Sequence, residues 1–316
     1  MHILVKGYYG FQNLGDELIF FPLLSWIEEH YHPDQISVVC GDPVRFESRL
    51  LKHKEYYPPI FHKLHFLPKP TWKEHVMGFL GLGKRYDFYV FGGGQVVDEE
   101  RKFPYNGRNL PLLYRRAINK KLFALVGGIG TQNHDTTKLL QHMLLKQAEV
   151  VILRDTFSLG LAEKELSPKE MEKVYLVGDL TLPLLQESKK LFENKNVKNT
   201  RDRYVLVNIS PLCDFEKAVK KIKNFLRKVP DAQPIYFPAS VLQDMQYFSR
   251  LQEHIPPIEL FDWTKTDVST TIRLFYFALG GIGARLHFLT PLKFFGKRYE
   301  ALHNSHKIQV NLADID

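Results

Sequence analysis

Residues 2–27, HILVKGYYGFQNLGDELIFFPLLSWI, contain an apolar strand, a glycine-rich loop and an amphipathic helix in direct succession. The predicted helix opens with Asp16 and Glu17, where carboxylates complement the helix dipole. A doubly wound sheet binds its ligand outside the carboxyl end of a strand, so the stretch predicts an α/β fold with a ligand site at this loop. The glycine spacing is not that of the GxGxxG dinucleotide fingerprint, and the side-chain oxygens of Asn13, Asp16 and Glu17 suit a sugar or another polyol better than a pyrophosphate.

The same alternation of apolar run, glycine or polar turn and helix-like stretch recurs along the chain, as expected of a parallel sheet. One series of runs ends near residue 179, and a second begins near residue 204. We therefore predict two Rossmann-like domains, residues 1–187 and 203–316, joined by a polar linker at 188–202. This architecture resembles that of the two-domain glycosyltransferases of type B, with the active site in the cleft between the domains.

Composition narrows the class of protein. The 316 residues include 43 Lys and Arg against 35 Asp and Glu, and this surplus of +8 is spread along the chain. It favours small anionic ligands or an anionic surface over nucleic acid, for which no motif is present. Two distant cysteines, no secretory leader and no apolar run near the roughly 20 residues of a membrane span predict a cytoplasmic protein. Peripheral contact with the inner membrane face through basic residues stays open.

Glycine clusters mark two further strand ends. Gly93 and Gly94 belong to a GGG run that is either a tight strand-to-helix turn or a place where a ligand approaches the backbone. Residues 127–130, GGIG, suit a packing or turn role at least as well as ligand contact.

Four basic side chains are candidates for binding an anion. Arg154 closes the run EVVILRD, where its planar guanidinium suits a carboxylate or phosphate, although an ion pair with a neighbouring aspartate is the alternative. Farther on, a glycine-rich turn at GGIGARLH brings Arg285 and His287 near a helix N-terminus, whose free amides attract phosphate. Lys307 in NSHKIQ is a further cation.

Other catalytic chemistries find no support in the sequence. The histidine pairs HKLH and HNSH lack a cysteine or carboxylate partner at a recognised zinc spacing, so no metal site is predicted. There is no GxSxG elbow and no GxxxxGK[ST] phosphate loop. No cofactor is predicted.

Taken together, the segments GYYGFQNLGDELI, FGGGQVVDEE, GGIG, LRDTFSLGLAEKEL, VGDLTLPL, FPASVLQDMQ and ARLHFL resemble the polysaccharide pyruvyl transferase family. The resemblance implies a two-domain enzyme that uses phosphoenolpyruvate as co-substrate to place a pyruvate ketal on a sugar of a cell-envelope polysaccharide or its lipid-linked precursor. It implies that Arg154, Arg285, His287 and Lys307 bind phosphoenolpyruvate, while the amino-terminal loop faces the acceptor.

Roles follow from that chemistry, which needs an acid for the enol carbon and a base for the sugar hydroxyl. We assign His287 to phosphate binding and proton transfer, with Arg154 in the catalytic set. Asp16 or Glu17 is assigned either to acceptor binding or to the role of general base for the sugar hydroxyl. Asn13, Gly93 and Gly94 complete the acceptor side.

The chain departs from the family pattern after ARLH, where it continues FLTPLKFFGKRYEAL and Pro291 is expected to interrupt the helix. Two alternatives therefore stay open: a type B glycosyltransferase that uses a nucleotide sugar, and a non-catalytic protein of envelope assembly that binds a glycan or lipid phosphate.

Overall fold

A sheet of seven parallel strands forms the amino-terminal part of the protein, in a computed structural model that describes residues 1–51, 59–69, 86–97, 122–130, 135–195, 197, 201, 203–303 and 305–315. The strand order is β3-β2-β1-β4-β5-β6-β7. The strands are β1 His2–Lys6, β2 Gln35–Val39, β3 Leu64–Leu67, β4 Phe88–Val97, β5 Phe123–Ile129, β6 Val150–Leu153 and β7 Val174–Leu176. The order reverses between β1 and β4, which is the switch point where doubly wound sheets bind ligands.

Helices cover this first sheet: α1 Leu14–Tyr31, α2 Pro43–Leu51, α3 Asp135–Gln147, α4 Thr156–Glu165 and α5 Pro168–Met171, with a 3-10 turn at Pro59–Lys63. The prediction that α1 is amphipathic is wrong, because nearly every side chain of its first four turns is buried or half-buried. A helix that is apolar on all sides is one enclosed by protein.

Five parallel strands form the second sheet, in the order β10-β9-β8-β11-β12. They are β8 Tyr204–Val207, β9 Gln233–Tyr236, β10 Glu259–Leu260, β11 Gly280–Gly283 and β12 Arg298–Ala301. The helices are α6 Leu182–Asn194, α7 Phe215–Arg227, α8 Val241–Asp244, α9 Phe248–His254, α10 Val268–Phe277, α11 Leu286–Phe294 and α12 His306–Ala313, with 3-10 turns at Met245–Tyr247 and Trp263–Lys265. Its core lies between β8, β9, β11 and the apolar face of α7.

The chain divides into two units that do not follow its order. The first comprises Met1–Gly10, Ile19–Glu47 and Tyr57–Leu180, and the second comprises Phe11–Leu18, Ser48–Tyr56 and Thr181–Asp316. Residues 11–18 of the opening loop and helix are thus part of the second unit. Residues 188–194 of the predicted linker belong to α6, because apolar side chains at helical spacing, including Leu185 and Phe192, are buried there.

Two local predictions around residue 287 are wrong. Gly280–Gly283 is a strand and not a turn, and α11 continues through Pro291 to Phe294. The glycines allow the helix to lie directly on the strand, since a Cβ on Gly283 would overlap the ring of Phe288. Burial of residues 286 and 288–292 outweighs the cost of a proline inside a helix.

Candidate functional site

The opening loop is bound to the segment that follows β9. The Leu14 amide donates to the Ala239 carbonyl at 2.8 Å, and the Val241 amide donates to the Gln12 carbonyl at 3.0 Å. Residue 13 pairs with Ser240 as an antiparallel bridge. These bonds lie within the second unit and fix the start of α1 there.

Asn13 shapes the first turn of α1. Its side-chain oxygen accepts from the Gly15 amide at 3.2 Å, and its carbonyl accepts from the Glu17 amide at 3.2 Å. An asparagine that satisfies free amides in this way favours the start of a helix. The oxygen predicted to meet a sugar hydroxyl therefore has a partner within the loop.

Glu17 is buried in an ion pair with Arg49, and the Arg49 guanidinium lies 5.2 Å from the centre of the Trp263 ring. Burial raises the pKa of Glu17 to about 7, against the opposing effect of the Arg49 charge. Asp16 beside it is also buried, and its negative charge adds to the increase in the pKa of Glu17. Both predicted carboxylates therefore lie inside the second unit.

His287 is brought to the opening loop. Its imidazole covers Gly15 so closely that a Cβ at this position would lie 2.7 Å from Cε1 and closer still to Cγ and Nδ1. Because His287 is the second residue of α11, its ring lies at the amino end of that helix, where free amides attract anions. Two motifs that are 272 positions apart in the sequence thus form one site.

Arg285 precedes α11 and is held by a buried aspartate that sequence reasoning missed. Its Nε donates to both carboxylate oxygens of Asp244, at 3.1 and 3.0 Å, and its Nη2 donates to Oδ1 at 2.6 Å. Nη2 also donates to the side chain of Gln243 at 2.8 Å. The guanidinium orientation is therefore set by the second unit itself.

Asp244 is fully buried and joins three segments. Its Oδ2 accepts from the Asn208 side chain at 3.0 Å and from the Ser240 amide at 2.9 Å. The Asn208 oxygen in turn accepts from the Ala284 amide at 3.3 Å, one residue before Arg285. The only sequence signal for Asp244 was its place in the segment FPASVLQDMQ.

Arg154 lies in the first unit, directly after β6, and only 3% of it is exposed. Its Nε donates to Asp155 at 3.2 Å, which is the ion pair weighed as the alternative, while Nη1 has no hydrogen-bond partner among the described residues. Burial alone would raise the pKa of Asp155, but hydrogen bonds from Ser158 and the Arg154 charge hold it below its usual value. A guanidinium with one unused edge can bind an anion.

Gly93 has a left-handed backbone with φ of 106°. A Cβ at this position would lie 2.7 Å from the Tyr9 hydroxyl. The same hydroxyl donates a hydrogen bond to the Gly92 carbonyl at 3.0 Å. Gly93 and Gly94 have no register partner on β5, because the β4–β5 pairing is irregular between Gly92 and Gln95. The run is therefore part of a strand and serves close packing. Its contact with an acceptor stays a prediction.

The findings on Lys307, on membrane-spanning helices and on metal sites each depend on which residues the structure describes. Lys307 is the second residue of α12, and its side chain lies outside the part that the structure describes. Within that part, no helix is long and apolar enough to cross a membrane, and no group of three or more histidine, cysteine or acidic side chains could hold a metal ion.

Comparison with known proteins gives a family and a fold. The model of a family described as polysaccharide pyruvyl transferase matches residues 13–289, whereas no curated protein matches the chain. Among solved structures, UDP-GlcNAc 2-epimerase from Neisseria meningitidis bound to UDP-GlcNAc has a TM-score of 0.63 and 10% identity, covering 99% of this chain and 85% of that one.

The UDP-GlcNAc 2-epimerase from Rickettsia bellii has a TM-score of 0.63 and 9% identity, and the match covers 97% of this chain and 80% of that one. The 2-epimerase from Methanocaldococcus jannaschii has a TM-score of 0.59 and 11% identity, and the match covers 100% of this chain and 88% of that one. At such low identity these matches establish the fold alone. They confirm the predicted α/β class with two Rossmann-like units, similar to glycosyltransferases of type B.

Proposed function

Because the chain belongs to the polysaccharide pyruvyl transferase family, we propose that it transfers the pyruvyl group of phosphoenolpyruvate to a sugar of a cell-envelope polysaccharide or its lipid-linked precursor. The product is a pyruvate ketal across two hydroxyls. The observation that carries the proposal is the placement of the His287 imidazole on Gly15, at the amino end of α11.

The reaction has two bond-forming steps. A first sugar hydroxyl adds to the enol carbon as the methylene carbon takes up a proton, and a second hydroxyl then displaces the phosphate from the same carbon. The proton lost by the second hydroxyl leaves with inorganic phosphate. Such steps need a proton donor, a base and a group that stabilises the departing phosphate.

The second unit offers groups for each need. We propose that His287 binds the phosphate and moves protons, and that the amides at the start of α11 share its negative charge. Arg285 contributes a fixed positive charge, since Asp244 holds its orientation. Asp16 is proposed as the base or as an acceptor ligand.

Arg154 is proposed to bind phosphoenolpyruvate through the edge of its guanidinium that Asp155 leaves unused. Lys307 stays a predicted donor ligand from the family resemblance. Asn13 and Glu17 stay predicted acceptor ligands, together with Gly93 and Gly94. The cytoplasmic location and contact with the inner membrane face also stay predictions.

Phosphate release tests the proposal directly. The protein is incubated with phosphoenolpyruvate and a panel of nucleotide- and lipid-linked sugars, and inorganic phosphate is measured. His287→Ala and Arg154→Ala are each expected to abolish release, whereas the exposed His62→Ala and Arg45→Ala provide matched controls with near wild-type rates. Near-normal activity in either site variant would remove that residue from the mechanism.

Donor identity is tested by calorimetry. We expect phosphoenolpyruvate to bind and UDP-sugars to fail as donors. Tight binding of a UDP-sugar with sugar transfer, and no phosphate release from phosphoenolpyruvate, would instead identify a type B glycosyltransferase. Binding of glycan or lipid phosphate without turnover of either donor would identify a non-catalytic protein.

A further inference from the structure

The helix α7 concentrates positive charge in the second unit. Residues 214–228 contain six lysine and arginine residues against two acidic ones, which gives a net charge of +4, half of the +8 of the whole chain. The prediction that the positive surplus is spread along the chain is therefore wrong at this helix.

One side of α7 packs on the second sheet, and the other side is open to solvent. The packed side includes the buried Phe215, Ile222 and Phe225. The six basic side chains are all exposed and recur at spacings of three and four residues, which places them together on the outer side of the helix. They are Lys217, Lys220, Lys221, Lys223, Arg227 and Lys228. At 1.5 Å per residue, the 13 residues of α7 extend this cationic face over about 20 Å.

Acidic side chains neutralise the cationic face only at its ends. The Lys217 ammonium lies 3.7 Å from the Asp214 carboxylate, and the Lys228 ammonium donates to Glu300 at 2.8 Å. Three lysines between them have no ion-pair partner among the described residues: Lys220, Lys221 and Lys223. The middle of the face therefore keeps its full charge.

Two exposed arginines from other elements extend the cationic face. The Arg250 guanidinium, from α9, lies 3.8 Å from the centre of the Phe215 ring and 3.9 Å from the Glu216 carboxylate. The Arg298 guanidinium, from β12, lies 5.9 Å from the centre of the Phe225 ring. Glu216, the one acidic residue within α7, is thus opposed by a cation from a second helix.

An anionic bilayer complements the cationic face better than a nucleic acid does. Bases are read by planar polar side chains or by aromatic rings. The outer side of α7, all of which the structure describes, has no aromatic residue, and its planar side chains Asn224 and Arg227 bond to each other at 3.2 Å. Five of the six cations are lysines, which attract lipid headgroups as point charges without a fixed geometry. Leu212, which is 67% exposed, offers an apolar side chain two residues before the Asp214 N-cap.

We propose that the cationic face of α7 binds the surface of a bilayer that contains anionic phospholipids. The choice of this partner rests on the proposed function in one respect, because a lipid-linked acceptor is held at such a surface. The apolar side of α7 already packs on the sheet, so the contact is made chiefly by charge. A contact of this kind is reversible and weakens as salt is added.

Vesicle sedimentation with the whole chain tests the surface. Wild-type protein is mixed with vesicles of phosphatidylcholine alone and with vesicles that also contain phosphatidylglycerol. We expect binding to the anionic vesicles only. The binding should disappear between about 0.1 M and about 1 M salt, as the Debye length falls from about 10 Å to about 3 Å.

A triple variant removes the central charges: Lys220→Gln, Lys221→Gln and Lys223→Gln. Glutamine has a helix propensity close to that of lysine, and these substitutions break no ion pair among the described residues. Each lysine near an anionic surface strengthens binding by about fivefold, so the triple variant should bind anionic vesicles on the order of 100-fold more weakly.

The matched control has the same net charge but an intact cationic face. It replaces three exposed lysines within and directly after α6: Lys189→Gln, Lys190→Gln and Lys195→Gln. Its vesicle binding should stay close to that of wild type. A thermal melt confirms that both triple variants are folded.

Four results would overturn the proposal: no binding of wild type to anionic vesicles, equal binding to the uncharged vesicles, unchanged binding by the α7 variant, or an equal loss in the control. Binding to a short DNA, duplex or single-stranded, is measured at the same salt concentration. If wild type binds DNA more tightly than anionic vesicles, and the α7 variant loses that binding, the partner is nucleic acid and the membrane assignment is wrong.

The proposed function fails separately. Phosphate release from phosphoenolpyruvate with a soluble sugar acceptor should be equal in wild type and in the α7 variant, whereas release with a lipid-linked acceptor in anionic vesicles should fall in that variant. Vesicle binding through α7, in a protein that never releases phosphate, would retain the surface and reject the pyruvyl transfer. Phosphate release without vesicle binding would retain the pyruvyl transfer and reject the surface.

Discussion

Substitution of Gly15 by alanine is the sharpest test of the contact between the opening loop and His287. The added Cβ would lie 2.7 Å from Cε1 of the imidazole and closer to two other ring atoms, whereas ordinary contact begins near 3.4 Å. The ring or the loop must therefore move by about 0.7 Å at Cε1 and by more at Nδ1. A misplacement of about 1 Å in a catalytic group can cost about 100-fold in rate.

The expected result for Gly15→Ala is a loss of about 100-fold in phosphoenolpyruvate-dependent phosphate release. Local backbone preference acts in the opposite direction, because Gly15 lies in the first turn of α1 and alanine favours a helix by about 1 kcal/mol over glycine. A loss of activity would therefore reflect the contact and not a weaker helix. Phosphate release is measured at saturating phosphoenolpyruvate, alongside thermal unfolding.

Gly160→Ala is the matched control, since Gly160 lies within α4 and a Cβ there would meet no atom within 4 Å. It should keep wild-type activity and gain up to about 1 kcal/mol in unfolding free energy. Activity of Gly15→Ala within threefold of wild type would refute the reasoning. It would mean that the His287 ring is not needed where the structure places it.

Three further substitutions test buried charges. Asp244→Ala should lower the unfolding free energy in urea by about 3–5 kcal/mol, because it leaves the Arg285 guanidinium without its carboxylate, and a cost below 1 kcal/mol would argue against the network. Lys6→Met should stabilise the protein by about 3 kcal/mol at pH 7, since the pKa of Lys6 is lowered from 10.5 to about 8. The contribution of Lys6 to wild-type stability falls as the pH drops from 10.5 to 8, and a stability difference between the two proteins that does not change over this range would contradict the lowered pKa of Lys6. The pKa of Glu17 is raised from 4.5 to about 7, so its contribution to stability is present below about pH 4.5 and is lost as the pH rises through 7. Glu17→Gln should remove that pH dependence in urea unfolding between about pH 5 and 8, and should lower stability because Arg49 loses this carboxylate partner.

The central strands were predictable from sequence, whereas one edge strand of each sheet was not. Runs such as DFYVFGGG and EVVILRD are continuous apolar segments, which is the pattern of strands buried on both faces. The strands β3 and β12 lie at sheet edges, where their side chains are half-buried or exposed, so LHFL and RYEA carry little apolar signal. Neither strand was predicted.

Glycine is the residue type that sequence reasoning misplaced. A run such as GGIG at 280–283 is as compatible with a turn as with a strand, and only the close approach of α11 decides between them. Local pattern carries no information about a helix that packs across a strand. The same holds for Asp244, whose partner Arg285 is 41 residues away in the chain.

The polar residues of the opening loop have an internal function that their sequence did not reveal. The Asn13 oxygen accepts from the Gly15 amide, and the Glu17 carboxylate pairs with Arg49. A sugar hydroxyl that bound either group would have to compete with a bond already made, and for Glu17 would have to reach a buried ion pair. These bonds instead hold Gly15 beneath the His287 ring, so in the proposed mechanism the loop acts on the donor chemistry by fixing the imidazole.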